Sequence, residues 1–372
     1  GFRLITAPRN QSFMLLLRYV NEIFKAVYTP SNHAMGFTEE RSVVTNADMH
    51  KGHNYVFNID LKDFFPSIHQ ARVWKRLQLK PLLFKQSIAN VVAGLCSMKE
   101  KMEDGSVRYV LPQGAPTSPI ITNMICDNLD RRLAGLAKRF GVVYSRYADD
   151  ITFSSMHNVY HSSGEFIKEL RRIVESQGFI MNEDKTRLQK LGTRQEVTGI
   201  IVSDKLNVSQ KYVRDIRNIL YIWRKYGYAT AFNKFFPRYK ETKGHVKKGN
   251  PDMVNVLDGK LMYLKMVKGE DDSVYLRLKM QFDELCNSLH DNTRTTQHGI
   301  TYVETLPVLE FERKNNTAIT IVTTKPKEFY YTVHTPQEVI ENIQKSISEN
   351  FIPHRYASFK LGGRMQKASV NK

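Results

Sequence analysis

Two adjacent acids, Asp149 and Asp150, constrain the fold of this chain more than any other feature of its sequence. The segments on either side, 142–146 and 151–154, are apolar and β-branched in the manner of short strands. The pattern predicts a tight hairpin with the motif Tyr-Ala-Asp-Asp, residues 147–150, at its tip. Two like charges at one turn repel each other, so the hairpin requires a cationic partner.

A third acid, Asp60, ends another strand-like segment, residues 54–60. Carboxylate oxygens suit Mg²⁺, which is usually held by one or two carboxylates together with substrate phosphates. Three acids that converge on two metal ions about 4 Å apart would form a nucleotidyl-transfer site. A bare Asp-Asp pair is usually a solvated turn, so this interpretation depends on the rest of the chain.

Four blocks, in order along the chain, resemble those of reverse transcriptases. They are the strand that ends at Asp60, the segment Leu-Pro-Gln-Gly-Ala-Pro-Thr-Ser-Pro at 111–119, the Tyr-Ala-Asp-Asp hairpin, and Gly-Phe-Ile-Met-Asn-Glu-Asp-Lys-Thr at 178–186. Two further motifs, Asn-Ala-Asp-Met-His at 46–50 and Val-Thr-Gly at 197–199, resemble signatures of the retron enzymes. Over about residues 1–285 the chain therefore resembles a bacterial retron reverse transcriptase.

The resemblance implies an α+β right-hand polymerase with fingers, a palm built on an antiparallel sheet, and a helical thumb. We expect fingers at 1–53 and 79–112, palm at 54–78 and 113–206, and thumb at 207–289. Residues 290–372 are expected to form a small α/β C-terminal extension for RNA or partner contact, with strands at 301–311, 318–323 and 328–332 and a helix at 337–350. Local patterns also predict helices at 11–29 and, capped by Ser209, at 210–226.

Charge and cysteine content limit the class of protein. The 55 Lys and Arg against 37 Asp and Glu give a formal charge of +18, which is typical of a nucleic-acid binder. The three cysteines are far apart and suggest neither a zinc site nor a disulfide framework, so we expect a reduced, cytoplasmic setting. No apolar run approaches the roughly 20 residues of a membrane span, and we expect a short N-terminal segment to precede Gly1.

The resemblance also implies the roles of the catalytic residues. Asp60 and Asp149 would be the main ligands of two Mg²⁺ ions, and Asp150 would lie close to the metals or the primer end. Lys185 would place a cation near the pyrophosphate leaving group and could act as a general acid. On its own, Lys185 could equally be a surface lysine that follows a helix.

A second set of residues is expected to bind the incoming nucleotide. Phe65 would lie beneath its sugar and leave no room for a ribose 2′-hydroxyl, although either Phe64 or Phe65 must belong to the core. The other expected nucleotide contacts are Arg3 for the triphosphate, Leu61, and Gln113 with Gly114 beneath the nascent base pair. Together they predict a site for deoxynucleoside triphosphates.

Contacts with RNA are expected mainly in the thumb, where the segment 221–250 has eight Lys or Arg, eight aromatic residues and one acid. Cations interleaved with rings can contact phosphates while the rings stack on bases. The expected contacts in this segment are Arg224, Lys225, Lys234, Arg238, Lys240, Lys243, Lys247 and Lys248. The retron motifs add Asn46, His50, Val197, Thr198 and Gly199, although the Asn46 and His50 pair could instead brace its loop.

The function implied by the resemblance is that of a retron-type RNA-directed DNA polymerase. Such an enzyme binds a structured noncoding RNA, starts from a guanosine 2′-hydroxyl and makes RNA-linked single-stranded DNA (msDNA) in anti-phage defence, with an effector protein encoded nearby. The alternatives are another bacterial defence reverse transcriptase with protein-primed or untemplated synthesis, and a non-catalytic RNA-binding scaffold. Intact Asp60, Asp149 and Asp150 argue against the scaffold.

Overall fold

The computed structural model describes residues 5–6, 8, 10–101, 105–243 and 251–291, and then 311–314, 318–321, 331–333, 355–361 and 364–370. The chain divides into two compact units, Gly1–Asp291 and Asn292–Lys372. The first unit contains all the motifs on which the interpretation of the sequence depends.

The first third of the chain forms short helices, one strand and an exposed hairpin. Its elements are α1 (Gln11–Val27), α2 (Val43–Asp48), β1 (Tyr55–Leu61), α3 (Gln70–Leu77), α4 (Gln86–Leu95), β2 (Met98–Lys101) and β3 (Val107–Val110). Helix α1 begins after Asn10, whose side chain accepts a hydrogen bond from the Phe13 backbone nitrogen. The predicted helix at 11–29 is confirmed, and it ends two residues early, at Val27.

The middle of the chain alternates helices with strands. Its elements are α5 (Ser118–Phe140), β4 (Val143–Tyr147), β5 (Asp150–Ser155), α6 (Glu165–Ser176) and β6 (Met181–Lys190). Helix α5 has Pro119 in its first turn, where a missing backbone N–H has no cost. It ends at Gly141, whose φ of 62° is the left-handed conformation that favours glycine. The chain can then turn directly into β4.

Four of these strands form one antiparallel sheet, the palm sheet, in the order β4-β5-β1-β6. After Asp150, all five residues of β5 are buried, so the apolar run seen in the sequence lies inside the protein. The predicted strands at 54–60 and on both sides of the Asp149-Asp150 pair are confirmed. The antiparallel pairing brings the end of β1 beside the β4–β5 turn.

A single apolar core joins the palm sheet to helices α5 and α6. Its fully buried members include Phe153 of β5, Ile59 of β1, Leu133 of α5, and Phe166 and Leu170 of α6. The ring of Phe166 packs edge-on against that of Phe153, with their centroids 5.1 Å apart. Burial of these side chains fixes the strand backbones from which the acidic residues project.

The rest of the first unit is a small sheet followed by a helical bundle. Its elements are β7 (Glu196–Val197), β8 (Ile200–Val202), β9 (Leu206–Asn207), α7 (Gln210–Tyr226), α8 (Tyr228–Lys243), α9 (Met253–Lys268) and α10 (Ser273–Asp291). Ser209 caps α7 as predicted, because its hydroxyl accepts a hydrogen bond from the Tyr212 backbone nitrogen. Trp223, Leu261 and Phe282 belong to the apolar core of this bundle. None of the described helices is both long and apolar enough to cross a membrane.

The second unit is described only in its strands. These are β10 (Phe311–Lys314), β11 (Ala318–Ile321) and β12 (Tyr331–Val333) in one antiparallel sheet, and the hairpin of β13 (Arg355–Leu361) and β14 (Arg364–Val370). Strand β11 lies within the predicted strand at 318–323, and β12 overlaps the end of the predicted strand at 328–332. The hairpin at 355–370 was not predicted, because its many cations indicated a contact segment or a solvated tail. The predicted helix at 337–350 lies outside the described residues.

Candidate active site

The Tyr-Ala-Asp-Asp motif forms the predicted hairpin. Tyr147 pairs with Asp150 across the two strands, so Ala148 and Asp149 are the two residues of the turn. Ala148 has a φ of 57°, a conformation that residues other than glycine rarely adopt. Backbone strain of this kind, on the order of 1–3 kcal/mol, persists only where the surrounding structure holds it. The turn is therefore held in place by its neighbours.

Asp60 lies directly beside this turn. It is the cross-strand partner of Asp150, and the backbone nitrogen of Leu61 donates a hydrogen bond to the Asp149 carbonyl at 3.1 Å. Side chains opposite each other on antiparallel strands project from the same face, with Cβ atoms about 5 Å apart. Like charges in that arrangement are destabilising. Folding thus brings the three predicted acids together at a cost in free energy.

Lys185 on β6 offsets part of this charge. Its ammonium Nζ lies 3.0 Å from each carboxylate oxygen of Asp60, and the Asn182 amide donates to the same carboxylate at 3.1 Å. Asp60 is nearly buried, with 10% of its side chain exposed, whereas 54% of the Lys185 side chain is exposed. Lys185 is therefore on a strand that faces the acids and does not follow a helix on the surface.

The pKa of Asp150 is raised within this cluster of three acids. Loss of surrounding water and repulsion from Asp149 and Asp60 raise the pKa of Asp150 to about 6. The ionised site is short of positive charge, even with Lys185 in place.

The chemistry of the three acids, rather than their spacing in this structure, suits a divalent cation. Within the described residues, no three histidine, cysteine, aspartate or glutamate side chains are close enough together to hold a metal ion. The donor set of Asp60, Asp149 and Asp150 nevertheless consists of the hard oxygen atoms that Mg²⁺ prefers. The Lys185 ammonium already lies against Asp60 as a counter-charge. A metal at Asp60 would therefore have to displace Lys185.

A cavity of about 870 Å³ opens beside the acids and brings most of the predicted nucleotide-binding residues together. Its lining includes Asp60, Asp149, Asp150, Lys185, Phe65, Gln113 and Gly114. Phe64, Phe65 and Phe37 all line the cavity; Phe64 is 3% exposed and belongs to the core, whereas Phe65 is only partly buried. The Leu61 side chain is also in the core, so its predicted nucleotide contact could come only from its backbone. Arg3 lies outside the described residues.

Gly114 is required for a close approach of two chain segments. Its φ is 128°, and a Cβ at this position would lie 2.6 Å from the Ile5 side chain and 3.2 Å from the Thr6 carbonyl oxygen. The backbone nitrogen of Thr6 donates a hydrogen bond to the Gln113 carbonyl at 2.8 Å. The predicted close backbone approach at Gly114 thus involves the N-terminal segment of the chain itself.

A buried ion pair that the sequence interpretation missed supports the turn. The guanidinium of Arg146 donates to both carboxylate oxygens of Asp130 at 2.7 Å, and Tyr144 donates to the same carboxylate at 2.8 Å. Arg146 also donates to the Ala148 carbonyl at 3.2 Å and to the Asn123 amide oxygen at 3.1 Å. Burial disfavours the charge of Arg146, but the Asp130 carboxylate outweighs it and keeps the Arg146 pKa well above its usual value.

The same network reaches a glycine that lies against the turn. The Asn123 amide donates to the Gly36 carbonyl at 3.0 Å. A Cβ on Gly36 would lie 2.6 Å from the backbone nitrogen of Ala148, closer than real Cβ contacts allow. Any larger residue at position 36 would therefore push the Asp149 turn out of place.

The retron-type Asn46 and His50 pair is also structural. Both side chains are at most 1% exposed, and the Ser145 hydroxyl donates to Asn46 at 2.6 Å. The two ring nitrogens of His50 lie 2.7 Å from the hydroxyls of Ser145 and Ser154. Burial, with a smaller effect of His53, lowers the pKa of His50 to about 3 and keeps it neutral. The prediction that Asn46 and His50 contact RNA is therefore corrected to the bracing alternative.

The Val-Thr-Gly motif divides between the core and the site. Val197 is fully buried, so its predicted RNA contact does not hold for the side chain. Thr198 and Gly199 line a second cavity, of about 540 Å³, together with Asp60, Asp150 and Lys185. These two residues thus lie beside the acids of the site, and their contact with RNA stays a prediction.

The predicted RNA contacts of the thumb lie on α7 and α8. Arg224, Lys225, Lys234, Arg238 and Lys240 are exposed. Arg224 pairs with Glu284 of α10, and the Lys225 ammonium lies 5.8 and 5.2 Å from the ring centroids of Tyr221 and Tyr226. The side chain of Lys243, and Lys247 and Lys248 entirely, lie outside the described residues.

The antiparallel palm sheet, with three aspartates where β1 meets the β4–β5 turn, defines the class of the protein as a right-hand polymerase. The family profile of "Reverse transcriptase (RNA-dependent DNA polymerase)" matches residues 7–211, more than half of the chain. The chain belongs to this family.

Its relatives within the family are retron enzymes. The chain is 37% identical to the retron Mx65 reverse transcriptase of Myxococcus xanthus, over 59% of this chain and 53% of the relative. It is 40% identical to the retron Mx162 reverse transcriptase of the same species, over 46% and 38%, and 35% identical to the retron Ec86 reverse transcriptase of Escherichia coli, over 50% and 55%. The chain thus matches between 38% and 55% of the length of these three relatives.

Proposed function

We propose that this protein is a retron-type RNA-directed DNA polymerase. It binds a structured noncoding RNA, extends a guanosine 2′-hydroxyl of that RNA with deoxynucleotides, and makes RNA-linked single-stranded DNA in anti-phage defence. The observation that carries the proposal is the pairing of Asp60 with Asp150 beside the Asp149 turn, inside a chain of the reverse transcriptase family. The retron names of the relatives support the choice of RNA and priming.

Within this proposal, Asp60, Asp149 and Asp150 would hold two Mg²⁺ ions. When bound, such ions stabilise the attacking and leaving oxygens of an in-line displacement at phosphorus. The residues of the chain position the partners of that reaction. Lys185, whose side chain is 54% exposed, supplies positive charge toward the pyrophosphate.

The nucleotide is selected on the other side of the cavity. The Phe65 ring lies 5.5 Å from the Phe64 ring and 6.4 Å from the Phe37 ring, measured between centroids, so neighbouring rings limit its movement. A ring held in this way excludes the extra hydroxyl of a ribonucleotide. Gln113 provides polar groups beneath the new base pair, and Gly114 lets the N-terminal segment pack closely beside it.

Outside the cavity, the exposed cations of α7 and α8 bind the noncoding RNA through its phosphates. The second unit, Asn292–Lys372, contacts RNA or an effector protein encoded nearby. Its hairpin carries Arg355, Lys360, Arg364 and Lys367 without an acid, which suits an anionic partner.

The test is to express the protein with its native flanking DNA and to analyse the nucleic acid that co-purifies with it. A matched control carries Asp149→Asn and Asp150→Asn. We expect a discrete single-stranded DNA, joined to RNA by a 2′-linkage that survives ribonuclease treatment, in the wild type alone. Heterogeneous or protein-linked DNA would favour another defence reverse transcriptase, and no DNA in either sample would favour a non-catalytic scaffold.

A further inference from the structure

A cavity of about 680 Å³ lies between α3, α5 and the turn that follows α6, and it shares no lining residue with the active-site cavity. We call it the basic groove and define it by its charged residues: Arg72, Lys75, Arg76, Lys80, Asp127 and Arg131. Five cations thus face one acid. Its volume falls in the range of roughly 300–1,000 Å³ that is usual for ligand sites.

The single acid of the groove is already neutralised. The Asp127 carboxylate accepts hydrogen bonds from Arg76 at 2.6 Å and from the Tyr28 hydroxyl at 2.5 Å. The other donors of Arg76 bind the carbonyl oxygens of Met124 and Lys80, each at 2.7 Å. Arg76 and Asp127 therefore form a structural pair that ties α3 to α5.

The remaining four cations have no counter-charge. Arg72, Lys75, Lys80 and Arg131 form no ion pair with any residue that the structure describes. Arg131 donates only to the neutral side chain of Asn128, at 3.0 Å. Cations that share one cavity repel each other, and an anion bound among them would relieve that repulsion.

Arg72 is the cation of the groove that the fold holds in place. One of its terminal nitrogens donates to the Gln177 carbonyl at 2.8 Å, and its guanidinium lies 4.7 Å from the centroid of the Phe179 ring. Its other terminal nitrogen, Nη1, is buried and has no hydrogen-bond partner among the described residues. A buried charged donor left unpaired is costly, and most such groups have partners. This buried guanidinium therefore adds to the positive potential of the groove without a counter-charge from the described residues.

The backbone around Arg72 packs closely against its guanidinium. Gly178 has a φ of 70°, and a Cβ there would lie 3.3 Å from Arg72 Nη1. The glycine thus permits both the turn and the close approach of the guanidinium. Arg72 is fixed before any ligand arrives, whereas Lys75, Lys80 and Arg131 are exposed and can adjust.

The lining of the groove indicates the class of anion. No aromatic ring lines it, so it offers no surface on which bases could stack. Its polar groups are mainly cations, which recognise phosphates without reading sequence. Paired RNA presents phosphates and keeps its bases stacked inside, and it is bound mostly by shape and backbone.

We propose that the basic groove binds the backbone phosphates of a double-stranded stem in the RNA that this protein carries. This inference depends on the proposed RNA-binding function and adds a second anchoring site to it. The stem would be held by α3 and α5, apart from the strand that enters the active-site cavity.

The test measures binding of the full chain to two fluorescent RNAs of equal length, a hairpin with a fully paired stem and unstructured oligouridine. The variant Lys75→Gln/Lys80→Gln/Arg131→Gln removes three exposed charges from the groove. A control, Lys138→Gln/Lys168→Gln/Lys205→Gln, removes three exposed lysine charges that form no ion pair among the described residues and lie outside the groove. Dissociation constants are measured over a series of salt concentrations, and the melting temperature confirms that each variant folds.

We expect the groove variant to bind the hairpin about tenfold more weakly at 0.1 M salt and to reduce the slope of log K against log salt by about three. Binding of oligouridine should be little changed, and the control should lose much less hairpin affinity. Equal losses in both variants, or equal losses for both RNAs, would overturn the proposal. Primer extension by the wild-type chain on an RNA template tests the polymerase separately, so its failure would overturn the proposed function alone.

Discussion

The active-site acids and the basic groove are two clusters of unbalanced charge within the same unit, and they are built in opposite ways. The acids Asp60, Asp149 and Asp150 lie on or next to strands whose neighbours are buried. Four cations in the groove form no ion pair among the described residues; Lys75, Lys80 and Arg131 project from exposed positions, and Arg72 is fixed by its contacts.

The difference in rigidity indicates which kind of ligand contact each cluster can make. Short carboxylates on a rigid turn fix the positions of bound ions, so a change of one atom should have a large effect. Long side chains on helices keep rotamer freedom and contribute mainly net charge, so their effects should be small, additive and dependent on salt.

The largest expected effect is that of Asp149→Asn. The substitution keeps the shape of the turn but removes one of the charges that would neutralise two metal ions, a loss of several kcal/mol in the transition state. We expect primer extension on an RNA template to fall by about 10³-fold, while the melting temperature stays the same or rises slightly because repulsion is relieved. Asp204→Asn, at an exposed position outside the site, is the matched control. Activity within tenfold of the wild type would show that Asp149 does not hold a metal.

The second effect concerns the buried pair that supports the turn. Arg146→Met alone leaves Asp130 charged and unpaired in the core, which should lower the free energy of unfolding by about 3–5 kcal/mol. The triple variant Arg146→Met/Asp130→Leu/Tyr144→Phe removes every charge of the network and should recover most of that stability. Its activity should remain about 10²-fold below the wild type, because the Ala148 carbonyl has lost its donor and the turn can shift.

Melting temperatures and extension rates, measured on the same protein samples, show whether the network of Arg146 and Asp130 stabilises the fold alone or also positions Asp149. If the triple variant is both stable and fully active, the network serves folding alone and does not position Asp149. Substitution of the exposed lysines in the groove should not lower the free energy of unfolding in this way, because those lysines form no buried ion pair among the described residues.

The hairpin was predictable from sequence, whereas its support was not. Two short apolar, β-branched segments on either side of a two-residue turn are a local pattern in the sequence. The motif at 147–150 was therefore enough to place Asp149 at the tip of the hairpin. Arg146 and Asp130 are 16 residues apart, on a strand and on a helix. Asp130 is also followed directly by Arg131 and Arg132, so nothing in the sequence singles out its partner.

Burial and packing explain the other differences between the sequence predictions and the structure. Asn46 and His50 match a retron motif, but a motif does not show whether its side chains face RNA or the core, and here they face Ser145. The groove was not foreseen because its cations come from segments about 50 residues apart that meet only through packing of α3 on α5. In the sequence each cation is simply part of a solvated helix face.

The third effect concerns selection of the nucleotide at the active-site cavity. Phe65→Val and Phe65→Ala should raise the use of ribonucleotides relative to deoxynucleotides by about tenfold or more, because relief of one steric conflict is worth roughly 1–3 kcal/mol. The smaller side chain should give the larger change. Single-nucleotide incorporation with each type of triphosphate measures the ratio, and no increase in either variant would remove Phe65 from this role.

The fourth effect is on stability and depends on pH. The pKa of Asp150 is raised to about 6 in the folded protein, above its unfolded value, so the folded state binds more protons between about pH 4 and 6. That stabilising contribution is present below pH 4 and is lost as the pH rises through 6. Without divalent ions, Asp150→Asn should match the wild type near pH 4. At pH 8 it should melt about 2–4 °C higher, an amount limited by the exposure of the residue.

Thermal melts of both proteins across this pH range test the sign of the effect. A variant that is less stable than the wild type at pH 8 would show that Asp150 is not repelled by its neighbours. A wild type that gains stability from Mg²⁺ at pH 8, when Asp150→Asn gains less, would link the repulsion to metal binding.

The smallest effect should come from a single charge of the groove. Lys75→Gln is expected to weaken hairpin RNA binding only about two- to threefold at 0.1 M salt and to lower the salt slope by about one, because an exposed cation contributes on the order of 0.2–1 kcal/mol. Lys75→Arg keeps the charge and should bind like the wild type.

If Lys75→Gln alone reproduced the loss seen in the triple variant, the groove would act as a precise constellation, as the acids do, and the contrast between the two clusters would fail. If Lys75→Arg were as weak as Lys75→Gln, geometry rather than net charge would govern the groove. A small loss in Lys75→Gln, with none in Lys75→Arg, is the result that follows from flexible cations on an exposed helix.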